Sequence, residues 1–357
     1  MPIRRAVKTS RSSEVAGFPE SFSIAGRTIG NDTPCYVIAE AGISHFGDLE
    51  KAKRLVDLAA NAGCDAVKFQ HYSTDILVGP SARDWRERLR SKEISDEEIL
   101  QIKQHCDKIG MVFLCTGHEE RALEFLVREA AVPAIKIGSG EIENWPYLEV
   151  AAGYEIPVIL STGMYTLQQV TEAVGILKSN GCPSLAVLHC VTNYPAEPAT
   201  VNLSSMSQIR QIFSGPVGYS DHTMGHAIPM AAVALGAELL EKHLTIDVNV
   251  PNAQDWKVSV TPDSLPRFMR ELRSVEAARG GWEKAPSTAE KESISWARKS
   301  ITARQDIKSG HIITNADVVC QRPGTGMPPT RLAEVLGAKA VNDILAGTIL
   351  SPEMFIS

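Results

Sequence analysis

The sequence AIKIGSGE at residues 134–141 joins a short apolar run to three polar side chains, Lys136, Ser139 and Glu141. Seven further runs of this kind recur between residues 36 and 243, with polar residues at or near the end of each: YVIAE (36–40), DAVKFQ (65–70), VFLCT (112–116), PVILST (157–162), LAVLHCVT (185–192), PVGYSDH (216–222) and LLEKH (239–243). Because stretches with helical periodicity separate the runs, strand and helix alternate eight times. This alternation predicts an α/β fold, a (β/α)₈ TIM barrel, in which the C-terminal strand ends meet at one mouth.

The length of 357 residues exceeds the roughly 250 of one such barrel and leaves room for a small second domain. The stretch GGWEKAPSTAEKES is rich in glycine, proline and charge without an apolar period, which is typical of a linker. Beyond it the pattern D-I-x-x-G-x-I occurs twice, from Asp306 and from Asp343. The second domain serves either as a stabilising appendage or as a lid. We expect four segments: a disordered tail (1–21), the barrel (22–280), the linker (281–299) and the second domain (300–357).

Two local patterns support this organisation. FSIAGRTIG at residues 22–30 has alternating apolar residues around a turn and predicts a hairpin that plugs the bottom of the barrel. Capping-box patterns pair Ser95 with Glu98 and Thr166 with Gln169, which predicts that helices begin there.

Composition narrows the class of partner and the compartment. The net charge of −6 argues against a nucleic acid or an anionic membrane, since phosphate surfaces need a basic face. No run of 18 apolar residues occurs, so we expect no membrane partner. Seven cysteines, an odd number without a C-x-x-C pair, fit a reduced compartment better than a disulfide framework. The sequence therefore predicts a cytoplasmic protein.

The polar strand ends point to anion chemistry. Lys136 is a point charge suited to phosphate, Ser139 is a hydroxyl donor, and Glu141 is a candidate general acid or base. Four other strands end in residues that extend this set into an anion-binding ring: Lys68, Thr116, Ser161 and Ser220.

Two histidines stand at the ends of adjacent strands seven and eight, His222 in YSDHT and His243 in EKHLT. Two imidazoles in that position can ligate one divalent ion and leave coordination positions open for water and substrate. Glu40 on strand one closes the ring beside strand eight, where it acts through water or on a substrate hydroxyl.

Taken together, these motifs resemble the sialic acid synthase family, also called N-acetylneuraminate synthases, with its antifreeze-like (SAF) C-terminal domain of β-clip fold. The resemblance spans about residues 22–355 and both domains in order. It rests on IAEAGISHFGD (38–48), DAVKFQ (65–70), KIGSGEIENWP (136–146), PVILSTGM (157–164), HCVTNYP (189–195), VGYSDHT (217–223), EKHLTID (241–247) and RPGTGMPP (322–329).

The resemblance implies a condensation of phosphoenolpyruvate with an N-acylhexosamine aldehyde, such as N-acetylmannosamine, to a 3-deoxy-2-ulosonic acid and phosphate. It implies phosphoenolpyruvate contacts for Lys68, Thr116, Lys136, Ser139, Ser161, Thr192, Tyr194 and Ser220. It implies that His222 and His243 bind a divalent metal (Mn²⁺, Mg²⁺ or Co²⁺) and that Glu141 is the catalytic carboxylate. Glu40 is a second catalytic candidate from its place on strand one. The resemblance implies acceptor contacts for Gln70, Asp255 and Arg322. Trp256, which departs from the family pattern, is a further candidate because its apolar face suits a sugar. Arg322 resembles the arginine that the partner subunit's SAF domain inserts, which implies a domain-exchanged homodimer.

Departures from the family pattern fall on loops expected to touch the acceptor. Ser44-His45-Phe46-Gly47 stands where the family shows N-H-x-G, and Cys115-Thr116-Gly117-His118-Glu119 replaces S-T-P-F-D. In NAQDWKVS at 252–259, Trp256 replaces a histidine and either faces the sugar or packs.

Three alternatives to that acceptor and chemistry stay open. The first is the same reaction on another aldehyde, such as a bare or phosphorylated aldose or a specialised-metabolite precursor. The second is a non-catalytic barrel with a recognition domain, which Glu141 and both histidines argue against. The third is a Schiff-base aldolase built on Lys136, which the neighbouring Lys68 and hydroxyls argue against.

Overall fold

The computed structural model describes residues 17–30, 33–251, 253–281 and 283–356. It divides into two compact units, Met1–Gly280 and Gly281–Ser357. Most of the expected disordered tail lies outside the described residues. Its end is corrected, because Phe18 is only 4% exposed and packs on Phe213 at a ring-centroid distance of 5.8 Å. The first unit therefore begins no later than Phe18.

The first unit is a parallel eight-stranded barrel, as the alternation predicts. Its strands are β3 (Tyr36–Gly42), β4 (Ala66–His71), β5 (Val112–Gly117), β6 (Ile135–Ile137), β7 (Val158–Ser161), β8 (Leu185–Cys190), β9 (Val217–Asp221) and β10 (Leu239–His243). Hydrogen bonds connect them in the order β5-β4-β3-β10-β9-β8-β7-β6, and the end strands β5 and β6 pack together and close the sheet.

Helices cover the outside of the barrel. They are α1 (Leu49–Asn61), α2 (Thr74–Leu77), α3 (Arg83–Arg90), α4 (Asp96–Ile109), α5 (Glu120–Arg128), α6 (Trp145–Ala152), α7 (Leu167–Ser179), α8 (Pro198–Val201), α9 (Ser205–Ile212), α10 (Ala227–Ala234) and α11 (Leu265–Arg279). The larger hydrophobic core lies between strands and helices and a smaller one fills the barrel interior, because successive strand residues face opposite sides.

The predicted hairpin and the predicted helix starts are confirmed. Strands β1 (Ser21–Ile24) and β2 (Arg27–Gly30) pair antiparallel, and their apolar side chains join the interior core below the barrel. Both capping boxes form, at Ser95 before α4 and at Thr166 before α7. Each box satisfies backbone N–H groups that the first helical turn leaves unpaired.

The second unit contains α12 (Thr288–Ala297), β11 (Ser300–Ala303), β12 (Val318–Gln321), α13 (Leu332–Val335), β13 (Lys339–Ala340) and β14 (Phe355–Ile356). Its two sequence repeats bind each other. Ile307 and Ile344 exchange backbone hydrogen bonds of 2.8 Å in both directions. Asp306 accepts from Ala346 N, and Asp343 accepts from Ser309 N, each at 2.8 Å. Each aspartate therefore supports the turn of the other repeat.

The sequence assigns residues 281–299 to a linker, because this stretch shows no apolar period. Helix α12 lies within it and begins at a capping box of Ser287 and Glu290. None of its residues is buried, and an exposed helix carries the charged composition that made this segment look irregular. In the described part of the chain, no helix combines the length and apolar character needed to cross a bilayer.

Candidate active site

Four charged side chains meet inside the mouth of the barrel. Lys68 Nζ lies 2.6 Å from Glu40 Oε2 and 3.7 Å from Glu241 Oε2, and Lys136 Nζ lies 3.6 Å from the same Glu241 oxygen. All four side chains are at least 95% buried. The Lys68–Glu40 contact is a buried ion pair. The cluster therefore alternates two ammonium groups with two carboxylates.

Glu241 belongs to this cluster although the sequence-based assignment of site residues omits it. The signal was present, because Glu241 stands two residues before His243 on β10 and successive strand residues alternate between faces. Glu241 and His243 therefore face inward together, while Lys242 between them faces outward. The Glu241 carboxylate holds both lysines and accepts a hydrogen bond of 3.0 Å from Ser220 Oγ.

The two carboxylates titrate differently because their neighbours differ. Burial raises the pKa of Glu40 above its usual value, and the single adjacent Lys68 only partly offsets this effect. Burial acts in the same direction on Glu241, but Lys136 and Lys68 together hold the pKa of Glu241 well below its usual range. Glu241 is therefore the permanent anion of the cluster.

The predicted hydroxyl ring surrounds the two lysines. Lys68 donates to Thr116 Oγ1 at 3.2 Å, and Lys136 donates to Ser161 Oγ at 2.8 Å. Ser139 opens a 3₁₀ turn after β6 and accepts from Gly163 N at 2.8 Å. These groups lie where hydroxyls and ammonium groups can share one anionic ligand.

Thr192 and Tyr194 lie in the loop that follows β8. Thr192 is exposed, and its Oγ1 would be only 2.1 Å from a Cβ placed on Gly163. Because glycine has no Cβ, the segment that carries Gly163 and the loop that carries Thr192 can approach each other. Tyr194 is half-buried and stacks on His222 at a ring-centroid distance of 4.0 Å.

The two histidines are neighbours, with ring centroids 5.3 Å apart. His222 Nδ1 lies 2.7 Å from Val191 O, and since a carbonyl only accepts, Nδ1 carries the proton. The lone pair on Nε2 then receives the Tyr194 hydroxyl at 2.8 Å. Such a backbone bond fixes the tautomer that a metal-binding imidazole needs.

His243 also fits a metal site. Its Nδ1 is buried without a hydrogen-bond partner and lies 3.9 Å from Asp255 Oδ2. Burial lowers the pKa of His243 to about 3 and also lowers that of His222, so both rings are neutral, as metal ligation requires. Among the described residues no cluster of three or more protein ligands occurs, so this pair would leave positions to water and substrate.

Glu141 ends the 3₁₀ turn that Ser139 begins. Its carboxylate is half-buried and accepts from Asn144 Nδ2 at 2.6 Å. Burial raises the pKa of Glu141 above its usual value. A carboxyl group with a raised pKa is suited to take up and return a proton.

Gln70 connects Glu40 to His118, one of the residues that depart from the family pattern. Gln70 Nε2 donates to Glu40 Oε1 at 2.8 Å, and Gln70 Oε1 lies 3.3 Å from His118 Nε2. Burial lowers the pKa of His118 to about 4, so the neutral ring donates to Gln70. His118 therefore fixes which way the Gln70 amide points.

Other departures converge on one side of the mouth. Ser44, Phe46 and Trp256 line the same small pocket together with Asp255 and Lys92. A cavity of about 490 Å³ adjoins it and shares Phe46 and Lys92. Trp256 is half-buried on a 3₁₀ turn and faces this pocket. Three residues in segments that depart from the family pattern therefore lie together at one pocket.

Comparison with known families decides the identity. A NeuB family model matches residues 55–284, and a SAF domain model matches residues 298–356.

This chain belongs to the NeuB family.

Its members are phosphoenolpyruvate-dependent transferases, so the protein is an enzyme and the non-catalytic alternative is excluded. An N,N'-diacetyllegionaminic acid synthase of Legionella pneumophila is 38% identical over 90% of this chain and 94% of that protein. Human N-acetylneuraminate-9-phosphate synthase is 34% identical over 88% of this chain and 91% of that protein. The N-acetylneuraminic acid synthetase structure from Leptospira borgpetersenii superposes with a TM-score of 0.72 at 34% identity, covering 77% of this chain and 95% of that one.

Arg322 lies in the SAF domain of this NeuB chain. Its Nε donates to Ala297 O at 3.0 Å, and its guanidinium lies 5.8 Å from the ring centroid of Trp296. Trp296 is itself 58% exposed. These contacts hold Arg322 at the surface of its own domain.

Proposed function

We propose that this NeuB enzyme condenses phosphoenolpyruvate with the aldehyde of an N-acylhexosamine, such as N-acetylmannosamine, and forms a sialic-acid-like 3-deoxy-2-ulosonic acid and phosphate. The observation that carries the proposal is the buried pair Lys68 and Lys136, each bonded to a hydroxyl, beside two neutral imidazoles. Ammonium and hydroxyl groups together suit the phosphate and carboxylate of phosphoenolpyruvate. A Schiff base on Lys136 is disfavoured, because Glu241 and Ser161 engage its ammonium.

The charge balance supports a divalent cofactor. Lys68 and Lys136 are already matched by Glu40 and Glu241, so the cluster has no excess positive charge for a multiply charged anion. His222 and His243 would hold Mn²⁺, Mg²⁺ or Co²⁺ in this neighbourhood. When bound, such an ion supplies Lewis-acid polarisation of the acceptor aldehyde.

Two proton transfers accompany the carbon–carbon bond. C3 of phosphoenolpyruvate adds to the aldehyde carbon, which leaves an alkoxide on the acceptor and a cationic C2. Water adds to C2 and gives up one proton, and the alkoxide gains one. Phosphate then leaves by C–O cleavage and takes up the proton that the C2 hydroxyl loses as the ketone forms. We assign the proton transfer to Glu141, since burial raises its pKa, and we keep Glu40 as the second candidate.

We propose that Gln70, Asp255, Trp256 and Arg322 contact the acceptor. Because Ser44, Phe46 and Trp256 line one pocket, a second candidate is the same reaction with a different aldehyde, either a non-acylated or phosphorylated aldose or a specialised-metabolite precursor. We further propose a homodimer in which the partner's SAF domain brings its arginine to the mouth. A reduced cytoplasm suits the seven unpaired thiols.

Phosphate release tests the proposal. The protein is incubated with phosphoenolpyruvate, Mn²⁺ and a panel of acylated, bare and phosphorylated aldoses. We expect release that depends on one class of aldose and that falls sharply in Lys136→Ala at phosphoenolpyruvate concentrations near the wild-type KM, with the exposed Lys178→Ala as a matched control. If no aldose in the panel supports phosphate release, or if release does not depend on the aldose, the proposed reaction is contradicted.

A further inference from the structure

A buried ion pair lies on the outer face of the two strands that carry the histidines. Lys242 Nζ on β10 lies 2.5 Å from Asp221 Oδ2 on β9, and the two side chains are 2% and 0% exposed. Asp221 and Lys242 are register partners in the sheet. Because strand residues alternate, this pair faces the helices while His243 faces the mouth.

The pair also holds both neighbours of His222. Asp221 Oδ1 accepts from Thr223 N at 3.0 Å and from Thr223 Oγ1 at 2.8 Å. Lys242 Nζ donates to Thr223 O at 2.8 Å. Asp221 and Thr223, which flank His222, are therefore both bound to the side chain of Lys242, which immediately precedes His243.

We propose that Asp221 and Lys242 form a positioning clamp that fixes the separation of the two imidazoles and so pre-organises the metal site. The inference rests on the proposed metal-binding role of His222 and His243. Neither clamp residue faces the mouth, so both act through the histidines. A buried ion pair contributes little net stability compared with an apolar pair, which favours a positioning role over a stabilising one.

The test is the dissociation constant for Mn²⁺ of the folded full-length protein, measured by titration calorimetry. The variants are Lys242→Met, Asp221→Asn and the double variant. We expect a dissociation constant at least tenfold above wild type in all three, as for other residues that orient metal-binding imidazoles. The midpoint of urea unfolding should drop in Lys242→Met, which strands a buried charge, and recover in the double variant, which does not.

Asp65→Asn is the matched control. Asp65 is equally buried, with its Oδ2 accepting from Val37 N at 2.7 Å and lying 3.5 Å from Arg273, at the opposite end of the barrel. We expect this variant to lose stability while it keeps the wild-type dissociation constant. The control therefore separates a loss of stability from a loss of metal-site geometry.

Three results would overturn the clamp. One is a dissociation constant for Mn²⁺ less than tenfold above wild type in the double variant. This result decides the matter if Lys242→Met does not fold. Another is an equal loss of affinity in Asp65→Asn. If the wild-type protein does not bind Mn²⁺ at all, the proposed metal site fails together with the clamp. If the wild-type protein binds Mn²⁺ and the clamp variants bind it with the wild-type dissociation constant, the proposed function stands and the clamp alone fails.

Discussion

At the scale of single residues, Glu241 organises the mouth of the barrel. Its carboxylate lies 3.7 Å from Lys68 and 3.6 Å from Lys136, the two cations that we assign to phosphoenolpyruvate. Without this anion the two buried ammonium groups would repel each other, and ionisation of one would fall. Glu241 therefore raises the pKa of both lysines against the effect of burial and favours their charged forms.

Glu241→Gln should lower the free energy of unfolding by about 3–5 kcal/mol, because it leaves the buried Lys136 without its carboxylate partner and leaves Lys68 with Glu40 alone. It should also reduce kcat/KM for phosphoenolpyruvate at least tenfold. Urea unfolding and steady-state phosphate release measure the two effects. Glu120→Gln on the surface of α5 is the control. Wild-type values of both quantities in Glu241→Gln would contradict the role that we give this carboxylate.

Binding and chemistry should separate by mutation. Lys136→Ala removes a charge-assisted contact worth about 1.5–3 kcal/mol, so KM for phosphoenolpyruvate should rise by about 10- to 150-fold. Glu141→Gln should instead lower kcat while KM changes little, because the proton that Glu141 transfers acts in the transition state and not in substrate binding. Steady-state kinetics distinguish the two patterns. A near wild-type kcat in Glu141→Gln would refute the assignment of the proton-transfer group.

At the scale of elements, periodicity predicts much of the fold. The eight strands, the hairpin and both capping boxes follow from local patterns that the tertiary structure reinforces. Two features escape the sequence patterns for physical reasons. Phe18 precedes any regular pattern and is buried by packing on residues distant in sequence such as Phe213, and α12 is an exposed helix with no apolar face strong enough to reveal it. The role of Glu241 depends on residues from other strands, which sequence spacing alone does not locate.

Asp317 should make the stability of the SAF domain depend on pH. Hydrogen bonds led by that from the Thr314 hydroxyl hold the pKa of Asp317 well below its usual range. A depressed folded pKa contributes stability that is present above the unfolded pKa of about 4 and is lost as pH falls toward the folded value.

Asp317→Asn should therefore destabilise this domain by about 1–3 kcal/mol at pH 7, and the difference from wild type should shrink below about pH 4. Hydrogen exchange of amides in residues 300–356 measures the effect, with exposed Asp263→Asn in the barrel as the control. A difference that stays constant from pH 7 to pH 3 would show that the carboxylate charge is not the cause.

At the scale of the whole molecule, the enzyme combines a barrel that holds the reacting groups with a SAF domain that carries Arg322. The NeuB match covers residues 55–284 and the SAF match covers residues 298–356, so both parts belong to the family architecture. We propose that each SAF domain serves the other subunit's mouth. The homodimer would then be the functional unit.

Mixed dimers test this exchange. Arg322→Ala and Glu141→Gln chains should each be weakly active alone. Together they should recover activity, because one mouth in each mixed dimer then receives an intact Glu141 and an intact Arg322. Sedimentation checks the dimer. A strictly monomeric protein, or mixtures no more active than either parent, would reduce the SAF domain to a stabilising cap.

The central claim is the carbon–carbon condensation with C–O cleavage, and isotope transfer measures it most directly. The reaction is run in H₂¹⁸O with phosphoenolpyruvate, Mn²⁺ and the preferred aldose, and both products are analysed promptly by mass spectrometry. We predict an acid of the combined carbon skeleton with ¹⁸O at C2 and phosphate without ¹⁸O, since water attacks carbon. Phosphate that carries ¹⁸O, or pyruvate in place of the condensed acid, would contradict the account.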